Sequence, residues 1–251
     1  MENNTVSYNQ YIDRSPDWNV WTPVSEEEKP LFNELIDNVK KAIEYGTRKE
    51  KGDSLEKLMT FIYDRFESAK VIPNYNIGDN QIDHFIEFID GLTPTFIHEN
   101  IGTRIIAESK NHKDSIGVRE VADLYELLRS KKSKLGIFSS YKTFSHGKTM
   151  WTLSEGKRRK LALSNERYII GFTLRELESL TENNFYTLLK QKYWNLIDEL
   201  EDDYIDEEVS IPYHERLSFS LKRLRDIGIL EHSVVQDALQ KIEIKYGKLT
   251  N

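Results

Sequence analysis

The stretch RIIAESK, residues 104–110, has the clearest strand pattern in the chain, and the fold prediction starts from it. A short apolar run follows Arg104, and the stretch ends in Glu108, Ser109 and Lys110. Side chains alternate between the two faces of a strand, so Glu108 and Lys110 project from one face while Ser109 points to the other. The pattern therefore predicts a buried strand that brings an acid and an amine together at its carboxyl end.

Upstream of this strand, the sequence predicts an antiparallel set. QIDHFIEFID, residues 81–90, is rich in β-forming residues and predicts a strand with Asp83 near its start. TFIHENIG, residues 95–102, predicts either a short strand or an irregular connection.

Downstream, helices and strands alternate. Apolar spacing predicts, in order, a helix over 118–130, a strand over 135–141, a helix over 147–163, a strand over 167–173 and a helix that begins with LRELESL. With a helix before the antiparallel set, the core order is α, three β, α, β, α, β between Gly52 and Leu180.

The N-terminal part predicts an arm and two helices. Residues 1–29 show no periodicity and predict an irregular arm, whose Trp18 and Trp21 either pack on the core or stack on nucleic-acid bases. A helix is expected from Pro30 to about Gly46. The polar break TRKEKGD follows, and then a second helix with Ser54 as its cap.

The C-terminal part predicts three more helices, which contain Phe185 to Trp194, Leu217 to Leu224 and Val235 to Ile242. Between the first two, eight of the eleven residues from Asp198 to Glu208 are acidic, which predicts a solvated linker or a segment that competes with nucleic acid for the basic face. The domain prediction is an arm and helix over 1–51, a core over 52–182 and a helical extension over 183–251.

The composition restricts the class of protein. Hydrophobic residues make up 38% and charged residues 31% of the 251 residues, which is typical of a folded globular chain and unlike collagen or low-complexity sequence. Because there is no cysteine, a disulfide framework, a cysteine zinc site and thiol chemistry are excluded. No signal peptide and no apolar run of about 18 residues occur, so we expect a soluble, cytoplasmic protein with no membrane contact.

The charge is distributed unevenly along the chain. The net charge is −7, yet the segment from Ile101 to Lys160 holds 14 basic and six acidic residues and has a net charge of +8. A local positive field on an acidic protein is compatible with binding a phosphate backbone at one face. Solvated helix surfaces explain the same count.

Asp83, Glu108 and Lys110 are candidates for a metal-dependent site. Mg²⁺, or Mn²⁺ in its place, binds oxygen ligands and usually takes one or two carboxylates, with water and substrate phosphate completing the shell. Asp83, Glu108 and the carbonyl of Ser109 would suffice, and Lys110 would orient or help to deprotonate a water molecule. The spacing alone is a weak signal, because Glu155 and Lys157 match it too and an exposed Glu108–Lys110 ion pair would explain it equally.

In context, these residues resemble the PD-(D/E)XK nuclease superfamily, in particular its Mrr-type restriction endonuclease-like branch. The resemblance rests on GDNQIDHFIEF, RIIAESKN, the helix VREVADLYELL and the strand LGIFSSYKTFS. It implies an α/β fold with a restriction-endonuclease-like core, in which helices flank a mixed central sheet, and helical extensions at both ends. The implied activity is a Mg²⁺-dependent endodeoxyribonuclease that hydrolyses DNA phosphodiester bonds, in the setting of defence against foreign DNA.

The resemblance also implies the catalytic residues. The aspartate of the first family strand corresponds to Asp83, the paired charged residues correspond to Glu108 and Lys110, and the first core helix supplies a further acid at Glu56. Ile82 stands where the family motif has a proline. Asp79, at a turn beside Gly78, competes with Asp83 for the role of the strand acid.

Nucleic-acid contacts are expected after the strand RIIAESK and at or after the end of the strand LGIFSSY, where nucleases of this family approach the substrate backbone. The candidates are Lys113, Ser139, Ser140, Lys142 and Lys148. The basic cluster GKRRK, residues 156–160, is a further phosphate-facing candidate, although a solvated helix surface explains it equally well.

Two alternative functions are compatible with the same sequence features. One is a nucleic-acid-binding or scaffold subunit on a nuclease-like fold, whose C-terminal helices dock a partner protein. The other is a DNA repair or junction-resolving nuclease, since fold alone does not define function. A homodimer is also expected, because cutting two DNA strands usually takes two active sites. The C-terminal helices would then form the dimer interface.

Overall fold

In the computed structural model, the described residues are 17–77, 80–204, 213–226, 228–246 and 249. Five strands occur among them: β1 Ala69–Ile77, β2 Asn80–Phe88, β3 Arg104–Lys110, β4 Leu135–Ser140 and β5 Tyr168–Thr173. The helices up to the last strand are α1 Asp17–Val20, α2 Lys29–Tyr45, α3 Arg48–Tyr63, α4 Val118–Lys131 and α5 Leu153–Asn165. Those after it are α6 Leu174–Glu178, α7 Phe185–Tyr204, α8 Tyr213–Asp226 and α9 His232–Tyr246.

The strands form one mixed sheet in the order β1-β2-β3-β4-β5. β1, β2 and β3 pair antiparallel, whereas β3, β4 and β5 pair parallel through the crossovers that contain α4 and α5. β3 is therefore central, with an antiparallel neighbour on one side and a parallel one on the other. The coarse prediction of an α/β fold with a mixed sheet flanked by helices is confirmed.

A hydrophobic core lies on each face of the sheet. The larger core joins β-strand residues such as Ile105 and Ile137 to buried side chains of α2, α3 and α7. The smaller core joins Ile106 and Phe138 to the apolar face of α4. Since Ile105 and Ile106 are consecutive, β3 supplies both cores by simple alternation.

The antiparallel set differs from the prediction in one strand. TFIHENIG contains a π-helical turn, Ile97–Ile101, and the third antiparallel strand is instead β1, which the sequence pattern did not indicate. β1 carries Pro73, a residue that interior strands exclude because it cannot donate to the ladder. β1 tolerates it because it is the edge strand of the sheet.

The helix boundaries also show two differences. The predicted polar break TRKEKGD belongs to α3, which is capped by the side chain of Thr47 in a capping box with Glu50, and Ser54 lies inside the helix. α5 begins at Leu153, so 147–152 form a turn where a helix was predicted. The short helix α1 lies in the arm that was predicted to be irregular, whereas the remaining helices and strands lie where the apolar spacing placed them.

The larger core extends beyond the predicted core region, 52–182, and includes residues from Val20 to Leu200. Trp21 is buried there and its indole N–H donates to the Ile62 carbonyl, 2.8 Å, so this tryptophan packs on the core. The side chain of Trp18 lies outside the described residues. α7 continues through the acidic residues 198–204, and 205–208 lie outside the described residues. Across the described part of the chain, no helix combines the length and apolarity needed to cross a membrane.

Candidate active site

The site lies where the ladder between β2 and β3 ends. The last ladder pair at this end is His84 with Ala107, and the next position places Asp83 opposite Glu108. Opposite residues of an antiparallel pair project from the same face, so the two carboxylates meet. Asp79, the competing candidate for the strand acid, lies outside the described residues.

Side-chain bonds take the place of the ladder at this point. The backbone N–H of Ser109 donates to Asp83 Oδ2 at 2.7 Å, and the backbone N–H of Asp83 points to Glu108 Oε1 at 3.5 Å. On the other side of β2, Asn74 of β1 stands between two ladder pairs with φ 51°, in the left-handed region. The regular ladder is thus interrupted on both sides of Asp83. The Asp83 carboxylate is held instead by the hydrogen bond from the Ser109 N–H.

Lys110 completes the β3 contribution. Its Nζ lies 3.1 Å from Glu108 Oε2, and the lysine side chain is 31% exposed while Glu108 is almost buried. The expected ion pair between these residues is therefore present, but it is joined to a second acid and is not an isolated surface pair. The other E-x-K match, Glu155 and Lys157, lies on helix α5, where Glu155 is buried against arginines.

Helix α3 brings Glu56 to the same cluster. Burial raises the pKa of Glu56, and the charges of Asp83 and Asp53 raise it further, whereas Lys110 lowers it. Glu56 is therefore near enough to Asp83 and Lys110 for their charges to act on it. The structure thus joins Asp83, Glu108 and Lys110 by hydrogen bonds, and it places Glu56 near them on α3.

The electrostatics of the cluster favour a cation. Burial raises the pKa of Glu108 to about 7, the charge of Asp83 adds to the rise, and Lys110 opposes it. Burial also raises the pKa of Asp83, against the lowering effects of the Ser109 N–H and Lys110. Three acids share one amine here, so the site holds an excess of negative charge that a bound cation would compensate.

The donor set is compatible with Mg²⁺. This ion commonly uses one or two protein carboxylates and keeps several water ligands. Asp83 and Glu108 supply two carboxylates on facing strands, and Glu56 interacts electrostatically with Asp83. Within the described residues, no preformed group of three or more His, Cys, Asp or Glu side chains with ligand geometry is found. Asp83 and Glu108 would hold the ion, and the ligand role of the Ser109 carbonyl stays a prediction.

The nucleic-acid candidates divide into two groups. Lys113, Lys142 and Lys148 are exposed in the loops that follow β3 and β4. Ser139 and Ser140 are 0% and 1% exposed, and the Ser140 hydroxyl donates to the Lys142 carbonyl. β4 is covered on both faces, so its last two serines are buried and do not present hydroxyls to a phosphate as predicted.

The basic cluster on α5 has an internal role. Arg159 is fully buried and its Nε donates to Glu155 at 3.0 Å, while its guanidinium also pairs with Glu199 of α7. Arg158 bonds the same Glu155 from Nε, 2.9 Å, and its guanidinium lies over the Phe144 ring. These two arginines are therefore largely buried in ion pairs and do not form the solvated surface that was one of the two expectations.

Several residues beside the site were not indicated by sequence patterns. His84 Nε2 bonds Thr60 Oγ1 at 2.8 Å, and Asn111 Nδ2 bonds the Lys51 carbonyl at 2.7 Å, which ties both strands to α3. His112 Nε2 lies 3.1 Å from Glu120 Oε1, at the start of α4. The available signal was adjacency, because His84 directly follows Asp83 and Asn111 directly follows Lys110.

The fold and the site together define an α/β protein with three acids and a lysine at the carboxyl end of its central strand. No protein-family model matches the chain, and no curated protein matches it. The resemblance to the PD-(D/E)XK nucleases therefore stays a prediction, and function has to be argued from the site.

Proposed function

We propose that this protein is a Mg²⁺-dependent endonuclease that hydrolyses phosphodiester bonds in DNA. The observation that carries the proposal is the convergence of Asp83, Glu108 and Lys110 at the point where β2 and β3 separate, with Glu56 beside them. A bound divalent cation supplies Lewis-acid stabilisation of the phosphoryl oxygens and lowers the pKa of water. This chemistry matches a cluster that combines excess negative charge with one amine.

The chain's own residues have separate roles in the proposal. Asp83 and Glu108 bind the cation, and the Ser109 N–H holds the Asp83 carboxylate in place. Burial lowers the pKa of Lys110, but Glu108 and Asp83 outweigh this effect and raise it. In the proposal, Lys110 orients the attacking water and offsets charge on the phosphate.

The surroundings of the site suit an extended polyanion. β3 and β4 are parallel, so the loops after both strands lie at the same edge of the sheet. A β-bridge between Ile116 and Phe144 joins these two loops, which carry the exposed residues Lys113, Lys142 and Lys148. Such cations neutralise backbone phosphates without reading the base sequence. A role in defence against foreign DNA is proposed by resemblance alone.

A cleavage assay with a matched control tests the proposal. Supercoiled plasmid is incubated with the protein in Mg²⁺, Mn²⁺ or EDTA, and with the variants Glu108→Gln and Lys110→Met. Glu87 and Arg104 pair at 3.0 Å across the same two strands, at the other end of the ladder, so Glu87→Gln and Arg104→Met are the controls. We expect metal-dependent nicking that the site variants lose and the controls keep. Equal nicking by all four variants, or none by the wild type, would refute the assignment.

A scaffold or binding subunit is the second candidate, and one observation favours it. The hairpin of α8 and α9 leaves Phe219, Ile229, Val234 and Ile244 exposed, as expected of a surface that docks a partner. DNA binding without cleavage, retained in Glu108→Gln, would support this candidate over the enzyme.

A further inference from the structure

Helix α3 is attached to the sheet by polar bonds at two points, and Glu56 lies between them. The first point is Asn111, whose Nδ2 donates to the Lys51 carbonyl at 2.7 Å and lies 3.3 Å from Ser54 Oγ. The second is His84, whose Nε2 lies 2.8 Å from Thr60 Oγ1. Lys51 and Thr60 are separated by nine residues, or roughly 14 Å along a helix. The bonds therefore bracket the turn that carries Glu56.

The second attachment leads directly to the Glu56 backbone. The Thr60 hydroxyl donates to the Glu56 carbonyl at 2.9 Å, which uses its only proton. Thr60 Oγ1 therefore accepts from His84 Nε2–H, and one chain of hydrogen bonds runs from His84 through Thr60 to Glu56. His84 is fully buried and its ring also packs edge-on against Tyr63, with 5.2 Å between the ring centroids, so its orientation is fixed.

The two anchoring side chains directly follow two site residues. Asp83 and His84 are consecutive on β2, so the first side chain projects toward the site and the second toward α3. Lys110 and Asn111 are consecutive at the end of β3, and Asn111 is buried against α3. One face of these two strand ends thus carries the proposed cation ligand and the amine, and the other face binds the helix that carries Glu56.

We propose that His84, with Thr60, and Asn111 are positioning residues that hold the turn of α3 with Glu56 near Asp83 and Lys110. The proposal rests on the proposed function, because positioning Glu56 matters only if Glu56 takes part in the reaction. Apolar burial alone would attach α3, since Leu55, Leu58 and Met59 already pack in the larger core. Apolar contacts tolerate small shifts, whereas bonds on both sides of Glu56 fix the helix along its axis and about it.

Isosteric variants test the positioning role. Thr60→Val removes only the hydroxyl, Asn111→Leu removes the amide, and Thr60→Ser restores the bond. Asn100→Leu is the matched control, because the Asn100 side chain donates to the Phe96 carbonyl at 3.1 Å in the π-helical turn. We expect Thr60→Val and Asn111→Leu each to lower kcat about tenfold or more with KM for DNA unchanged, as is typical when a supporting shell is removed. Thr60→Ser and Asn100→Leu should retain activity.

Combination with Glu56→Gln separates positioning from general destabilisation. If Thr60 and Asn111 act through Glu56, neither substitution should lower kcat further in the Glu56→Gln background. The same tenfold loss in both backgrounds, or full kcat in both single variants, would overturn the proposal. Full activity of Glu56→Gln would also overturn it, while leaving the proposed function intact.

A second readout does not depend on catalysis. Amide hydrogen exchange of residues 48–60 in the metal-free protein should be faster in Asn111→Leu and Thr60→Val than in wild type, and unchanged in Asn100→Leu. Unchanged exchange would overturn the positioning role even if activity fell. A wild type that shows no metal-dependent cleavage would refute the proposed function, and the exchange data would still decide whether these bonds hold the helix.

Discussion

Replacement of Glu108 by glutamine should abolish cleavage and yet stabilise the metal-free protein at pH 8. Glu108 is 8% exposed and its pKa is raised from 4.5 to about 7, first by burial and then by the charge of Asp83. Ionising this group is therefore harder in the folded state than in the unfolded chain. Glutamine has nearly the same shape and carries no charge to bury.

The magnitude follows from the pKa shift. Above pH 7 the folded protein carries a buried charge that the unfolded chain solvates, and at about 1.4 kcal/mol per pKa unit the cost approaches about 3 kcal/mol. Because the folded pKa is raised, the favourable contribution of Glu108 is fully present below pH 4.5 and is lost as the pH rises through about 7. For a chain of this size about 1 kcal/mol corresponds to roughly 2–4 °C in Tm.

The assay is thermal unfolding in EDTA at pH 5 and pH 8. We expect Glu108→Gln to unfold several degrees above wild type at pH 8, with a smaller difference at pH 5, and Glu87→Gln to show no such pattern. Mg²⁺ should raise the Tm of wild type at pH 8 and have little effect on Glu108→Gln. A variant that is less stable than wild type at pH 8, or a difference that does not change with pH, would refute the burial argument.

Two further predictions concern the basic residues. Lys142→Gln and Lys148→Gln should each weaken DNA binding and reduce the slope of log Kd against log salt by about 0.9 for each phosphate that the variant no longer neutralises. Fluorescence anisotropy measures the slope, with Lys41→Gln on α2 as the control. Slopes equal to that of wild type would show that these loops do not contact DNA. Arg159→Met should lower the free energy of unfolding by roughly 3–5 kcal/mol, because Glu155 would then be buried with fewer partners. Urea unfolding measures this change. A decrease under about 1 kcal/mol would mean that Arg158 alone compensates the Glu155 charge.

Much of the secondary structure could be predicted from the chain because it depends on local periodicity. The short apolar run in RIIAESK gives β3, and the apolar spacing of α4 and α7 follows the helical repeat. β1 was missed because Pro73 argues against a strand, and only its place at the sheet edge makes the proline acceptable. α3 was begun too late because its polar first turns are stabilised by the Thr47 capping box and by Asn111, which is distant in sequence.

The candidate site also has features that follow from the sequence and features that depend on the tertiary structure. The sequence by itself determined which residues carry charge at the strand ends, since Asp83, Glu108 and Lys110 follow from strand periodicity and the resemblance. Only the tertiary structure decided that Asp83 lies opposite Glu108, because register depends on pairing across the sheet. It also decided that Ser139 is buried and that Arg159 pairs with Glu155 and Glu199, because burial and ion pairing depend on the packing of elements far apart in the chain.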